Sequence, residues 1–135
     1  MTGTHEMDLP RDASAPALAR RSLARWYRDS LDMHELIDAK LIVSELVTNA
    51  VQHGVGRIRL ASELHDDRLF LQVTDQGSGF EYKVQAMSFG HMNGRGLAVV
   101  DSASSRWGIA DGATQVWAEI ERADPRNRSA TDADR

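Results

Sequence analysis

Two side chains of one predicted helix are suited to the chemistry of phosphate groups. Glu45 and Asn49 are four residues apart in the segment SELVTNAVQHG, so they project side by side from the same helix. Magnesium prefers one or two protein oxygens together with phosphate oxygens, so the Asn49 amide oxygen could be a ligand while Glu45 stays free as a base. A solvated helix face is the alternative for this pair, because Glu and Asn are mostly exposed in proteins.

A second segment, DQGSG, places an acid directly before two alternate glycines at the end of a predicted strand. Gly77 and Gly79 permit positive φ and let backbone amides approach a ligand closely. A carboxylate in an apolar recess accepts hydrogen bonds from exocyclic amines, so Asp75 could read the amino group of adenine. A tight turn after the strand is the alternative.

A third segment, NGRGL, places glycines immediately before an apolar helix. The free amides at a helix start and the positive end of its dipole favour a phosphate group near residues 94–97. The glycine spacing is neither that of a P-loop nor that of a full dinucleotide fingerprint. A glycine turn that simply begins the helix is the alternative.

The hydrophobic pattern predicts the elements that must position these segments. We expect helices over 17–30, over 32–52 with Asp32 and Glu35 as its cap, and from 96 onward. The basic exposed side of the first helix is either a solvated face or a partner-docking surface. Strands are expected over 57–64, 68–74, 106–109 and 114–120, and a long loop with little regular structure over 81–95.

Length and composition exclude several classes of protein. The 135 residues favour a single domain, and the absence of cysteine excludes a disulfide scaffold and a thiolate metal site. A formal net charge of −4 argues against direct binding of nucleic acid, which needs a dense cationic surface. Because no apolar run approaches the ~18 residues of a membrane span and the first residues lack an apolar signal core, we expect a cytoplasmic protein with no membrane partner.

The three segments, in this order, resemble the GHKL ATPase superfamily and, within it, the small bacterial anti-sigma factor serine kinases. SELVTNAVQHG is similar to the N box of that family, DQGSG to its first glycine box, NGRGLAVV to its second and GATQVWAEI to its closing strand. The resemblance covers about residues 15–120. It implies an α+β fold, a two-layer Bergerat-type α/β sandwich whose mixed, mainly antiparallel sheet carries helices on one face. ATP would lie between the helices and a lid.

The resemblance also implies a role for each candidate residue. Glu45 would be the catalytic base, Asn49 would bind Mg²⁺ and Asp75 would contact adenine. The further ATP-binding residues would be Gly77, Gly79, Gly94, Arg95, Gly96, Leu97 and Thr114. This chain departs from the family where Thr114-Gln115 replaces the common Lys-Thr, and Lys83 and Arg95 are the basic residues of the lid segment.

The implied partners are an anti-anti-sigma protein, as the acceptor of the phosphoryl group, and a competing sigma factor. The sequence does not determine whether the chain forms a homodimer. We expect the ATP-binding domain to span 15–121, between a flexible segment 1–14 and a flexible tail 122–135. A nucleotide- or partner-binding module without kinase activity is the main alternative, and a purely structural interaction protein is another. A sensor histidine kinase is disfavoured, because only 44 residues precede Glu45 and its dimerising helical hairpin needs more.

Overall fold

The computed structural model describes residues 3–77, 94–110 and 115–123. Within these residues, five strands and three helices follow one another. They are β1 (Gly3–Leu9), α1 (Ala15–Tyr27), α2 (Met33–His53), β2 (Ile58–Leu64), β3 (Arg68–Thr74), α3 (Gly94–Ala103), β4 (Arg106–Ile109) and β5 (Gln115–Glu121).

The strands form one sheet in the order β1-β2-β3-β5-β4, and each of these four pairings is antiparallel. Strands β2 and β3 form the predicted hairpin, closed by a hydrogen bond from the His65 amide to the Arg68 carbonyl at 2.8 Å. Burial alternates along β2, β3 and β5, as expected for a sheet with one covered face. The predicted two-layer fold with a mainly antiparallel sheet is therefore confirmed.

The helices cover the buried face of the sheet. Helix α2 lies at the centre of this layer, because α1 and α3 both pack against it and it contacts β2, β3 and β5. The core consists of apolar side chains from these strands and helices, and its fully buried members include Leu23, Ile42, Leu46, Leu60 and Leu71. Tyr27 is also buried, and its hydroxyl lies 2.5 Å from that of Ser62 on β2. Burial raises the pKa of Tyr27, against a smaller lowering by this hydrogen bond.

Helix α2 begins and ends where its sequence indicates. The Asp32 carboxylate accepts a hydrogen bond from the Glu35 amide at 2.8 Å, and the Glu35 carboxylate accepts one from the Asp32 amide at 2.9 Å. This reciprocal arrangement is a capping box, which satisfies two amides at the helix start. Gly54 follows the last turn, and its amide donates to the Ala50 carbonyl. The predicted capping residues of α2 are thus confirmed.

The prediction of a flexible segment over 1–14 is wrong for its described residues. Strand β1 occupies half of this segment, Gly3–Leu9, and pairs with β2 along its whole length. Three features hold it in place: Leu9 is buried, Met7 packs against the core, and the His5 ring stacks on Trp26 with ring centroids 4.8 Å apart. The segment looked polar because only every second residue of an edge strand faces the core.

The C-terminal boundary also lies slightly later than expected. Arg122 donates to the carbonyls of His65 and Ser30, at 2.6 and 2.8 Å, and the Ala123 amide donates to the Glu35 carboxylate at 3.2 Å. These two residues therefore belong to the folded domain rather than to a flexible tail. The rest of the tail lies outside the described residues.

Helix α3 begins at Gly94, two residues before its predicted start, so the end of the expected long loop is helical. The rest of that loop lies outside the described residues. In the parts of the chain that the structure describes, no helix is both long and apolar enough to span a bilayer.

Candidate functional site

Glu45 and Asn49 lie on α2 at the border between its buried and its outer surface. Both side chains are half-buried, whereas the neighbouring Leu46 and Ala50 are enclosed by the core. One helical turn separates the two polar residues, so they are about 6 Å apart along the helix axis. The predicted pairing of a carboxylate and an amide on one helix is thus what the structure contains.

The end of α2 meets the end of β3 at Asp75. This side chain is buried, with 7% of its surface exposed, and one carboxylate oxygen accepts a hydrogen bond from the Gly77 amide at 2.8 Å. The carboxyl group packs directly against Gly54, where a side-chain Cβ would overlap it. The sequence predicted an acid in a recess, and the structure places that acid against the end of the helix that carries Asn49.

The loop after α2 and the segment after β3 are also joined by hydrogen bonds. The Gln76 amide donates to the Val55 carbonyl at 2.8 Å, and the Gln76 side-chain oxygen accepts from the Arg57 amide at 2.7 Å. Gly56 adopts a φ of 70°, a left-handed conformation that favours glycine, and a Cβ there would overlap the Gln76 side chain. These contacts hold the first two predicted segments together at one end of the sheet.

Arg11 is a further contributor that sequence reasoning missed. Its guanidinium group donates to the carbonyls of Ala50 at 2.6 Å, Val51 at 3.1 Å and Gly56 at 2.8 Å. The last carbonyls of a helix lack partners within the helix and carry its partial negative charge, so a cation is well placed there. No local pattern identifies this role, because the three acceptors lie 39 to 45 residues further along the chain.

The third predicted segment begins helix α3. Gly94, Arg95, Gly96 and Leu97 are its first four residues, and the helix packs against α2. The amides of a first helical turn have no acceptor within the helix, so they are available to an anion. The predicted Gly79 and Thr114, and the lid residue Lys83, lie outside the described residues.

Among the residues that the structure describes, two cavities border this region. One of about 270 Å³ lies between the start of α1 and the second half of α2, lined in part by Pro16, Thr48 and Gln52. The other, of about 330 Å³, touches Asp75 and is otherwise lined by residues of the sheet and of the following turn, such as Thr74 and Gln115. Neither Glu45 nor Asn49 is among the residues that line these two cavities.

Comparison with known families agrees with this arrangement. A profile described as the histidine kinase-like ATPase domain matches residues 9–120, which include every element from α1 to β4 and nearly all of β5. The chain belongs to this family. The residues that match the histidine kinase-like ATPase family include Glu45, Asn49 and Asp75.

Individual relatives are similar to part of the chain. A protein named serine-protein kinase RsbW from Staphylococcus epidermidis is 36% identical over 95 residues, which cover 65% of this chain and 60% of that protein. Serine-protein kinase RsbW from Staphylococcus aureus is 33% identical over 92 residues, covering 63% of this chain and 58% of that protein. The chain thus spans about 60% of the length of these curated relatives.

A solved structure has the same fold. The crystal structure of the RsbU and RsbW domains of Rv1364c from Mycobacterium tuberculosis superposes with a TM-score of 0.66 and 24% identity, over 89% of this chain and 31% of that one. This likeness supports the two-layer architecture described above.

Proposed function

We propose that this protein is an ATP-binding anti-sigma factor-type regulator that phosphorylates a serine or threonine of an anti-anti-sigma partner. A sigma factor is the competing partner. The observation that carries the proposal is the junction of α2 with β3, where Gly54 packs on the buried Asp75 close to the helix turn of Asn49. Membership of the ATPase family and the two RsbW kinase relatives support the same function.

The residues present suit Mg²⁺ and ATP. Asn49 offers a neutral amide oxygen, and a single such ligand suits Mg²⁺, which takes most of its other ligands from water and phosphate oxygens. Asp75 is a buried carboxyl group whose oxygens can accept hydrogen bonds, so it suits the exocyclic amine of adenine. The amides of Gly94–Leu97 at the start of α3 suit the phosphates. When bound, ATP supplies the phosphoryl group and Mg²⁺ neutralises charge on its phosphates.

Each protein group then has one task in the transfer. Glu45 accepts the proton of the attacking hydroxyl group, which comes from the partner protein. Asn49 orients the metal, and the helix-start amides of α3 stabilise the negative charge that develops on the transferring phosphoryl group. Gly77, and with it Gly79, Arg95 and Thr114, completes the contacts of the nucleotide.

Nucleotide binding is tested by calorimetry with ATP and with GTP, in the presence and absence of Mg²⁺. We expect Asn49→Ala to remove the magnesium dependence of binding. Asp75→Ala should weaken ATP binding by about 1–3 kcal/mol and reduce the preference for ATP over GTP, because it leaves a buried amine unpaired. The exposed Glu63, on the opposite face of the sheet, supplies the control Glu63→Gln, which should bind as the wild type does. Equal affinities of the wild type for ATP and GTP would contradict the role of Asp75.

Phosphoryl transfer is tested in single turnovers with ATP labelled at the γ-phosphate and a purified anti-anti-sigma protein from the source organism. We expect Glu45→Gln to bind ATP normally and to transfer about 10²–10⁴-fold more slowly, the range of general-base catalysis. A Glu45→Gln variant that transfers at the wild-type rate would exclude Glu45 as the base. ATP binding without any transfer would favour the alternative, a regulatory module without kinase activity.

A further inference from the structure

Helix α2 carries a row of exposed apolar side chains that the proposed site does not use. Met33, Ile37 and Leu41 are spaced by four residues, and 70%, 53% and 45% of their surfaces are exposed. Among the described residues, Val55 is the one other large apolar residue whose side chain is exposed to a comparable extent. Scattered single residues of this kind are ordinary, but three successive neighbours on one helix face form a continuous surface. We call Met33, Ile37 and Leu41 the apolar row.

The apolar row leads directly to the proposed catalytic base. Glu45 is the next residue at the same four-residue spacing after Leu41, so its side chain neighbours that of Leu41 on the helix surface. The rise of the helix places Ile37 about 12 Å and Leu41 about 6 Å from Glu45 along the axis. Any protein that presents a hydroxyl group to Glu45 must therefore cover the surface next to Leu41.

Packing among the described residues does not account for the row. The buried surface of α2 is formed by other residues, among them Ala39, Ile42 and Val43, and these face the core. Helices α1 and α3 also pack on α2, yet the row remains exposed beside them. The three side chains are therefore available to a partner, which would gain binding energy by removing them from water.

We propose that the apolar row is the docking surface for the protein that accepts the phosphoryl group. This inference rests on the proposed kinase function, and the occupant of the row is the acceptor protein. The acceptor protein lays an apolar segment along the first half of α2, at about 6 to 18 Å along the helix axis from its own accepting hydroxyl group. Docking there places that hydroxyl group over Glu45, so the row contributes to recognition of the acceptor and not to binding of the nucleotide.

The test uses the double variant Ile37→Gln/Leu41→Gln, with a purified anti-anti-sigma protein from the source organism as acceptor. Glutamine has nearly the helix propensity of leucine and both sites are exposed, so the fold should be retained. We expect KM for the acceptor to rise about tenfold or more, while kcat at saturating acceptor and the affinity for ATP stay within twofold of the wild type. The conservative variant Ile37→Met/Leu41→Met should keep the wild-type KM, because it keeps the surface apolar.

A matched control removes an apolar side chain from the opposite layer. Phe70 lies on the face of the sheet away from the helices, where it stacks on Trp117, and Phe70→Gln should leave KM for the acceptor unchanged.

An unchanged KM in the double glutamine variant would overturn the docking proposal while leaving the kinase function intact. Sedimentation gives a second readout. If the glutamine variant instead dissociates a wild-type dimer without changing KM, the row contacts a second copy of this chain, and the proposal is wrong. If the wild type transfers no phosphoryl group, both the kinase function and this inference fail.

Discussion

Substitution of Gly54 by alanine tests the contact that joins α2 to Asp75. A Cβ at this position would overlap the Asp75 carboxyl group and lie 2.6 Å from the Ala50 carbonyl oxygen. Gly54 has a φ of −85°, which any residue can adopt, so the expected effect is purely steric. Carbon-to-oxygen contacts are normally no shorter than about 3.3 Å, so the backbone or the carboxyl group must move by roughly 0.7 Å or more.

The magnitude follows from the rigidity of both neighbours. Ala50 lies in the last turns of α2 and Asp75 is buried, so neither can give way without disturbing its surroundings. Overpacking of this kind costs about 1–3 kcal/mol, which in a domain of this size lowers Tm by about 4–12 °C. If Asp75 is the group that moves, the hydrogen bond proposed for adenine is lost, and ATP affinity should fall about tenfold.

The assay combines thermal unfolding with calorimetric titration of ATP. Gly3→Ala is the matched control, because a Cβ at Gly3 meets no atom within 4 Å. We expect Gly3→Ala to have the Tm and the ATP affinity of the wild type. Gly54→Ala should have a lower Tm and a weaker affinity for ATP. A Gly54→Ala protein that melts within one degree of the wild type and keeps its ATP affinity would refute the argument that this junction is tightly packed.

Two further substitutions test other contacts. Arg11→Ala should lower the free energy of unfolding by about 1 kcal/mol in urea titrations, because the last carbonyls of α2 lose a cationic donor, whereas Arg11→Lys should restore part of the loss. Equal stability of Arg11→Ala and the wild type would contradict the capping role. Tyr27→Phe should cost about 1 kcal/mol at neutral pH, because the buried Ser62 loses its partner. The raised pKa of Tyr27 keeps it protonated in the fold to a higher pH than in the unfolded chain, so its contribution is complete below the usual pKa of 10.0 and is lost as pH rises above it. Unfolding measured from pH 8 to 11 should therefore show a shallower alkaline loss of stability in Tyr27→Phe, and an unchanged slope would contradict this assignment.

Much of the fold could be predicted from local patterns. Strand β3 and strand β4 have the predicted bounds, and α2 begins after its predicted cap, Asp32. These elements can be predicted because their signals are local. The periodic apolar residues, the capping residues and the turn residues all lie within a few positions of one another. The pairing of Glu45 with Asn49 was predictable for the same reason, since helical geometry alone sets it.

The sequence by itself determined which side chains could do chemistry and on which element each one lies. Only the tertiary structure decided that Gly54 packs on Asp75, that Arg11 caps α2, and that residues 3–9 form an edge strand instead of a flexible segment. Each of these contacts joins residues 21 or more positions apart in the chain, where no local periodicity operates. Such contacts form because the antiparallel register of the sheet and the packing of α2 across it bring distant backbone and polar groups together, and buried polar groups must then find partners there.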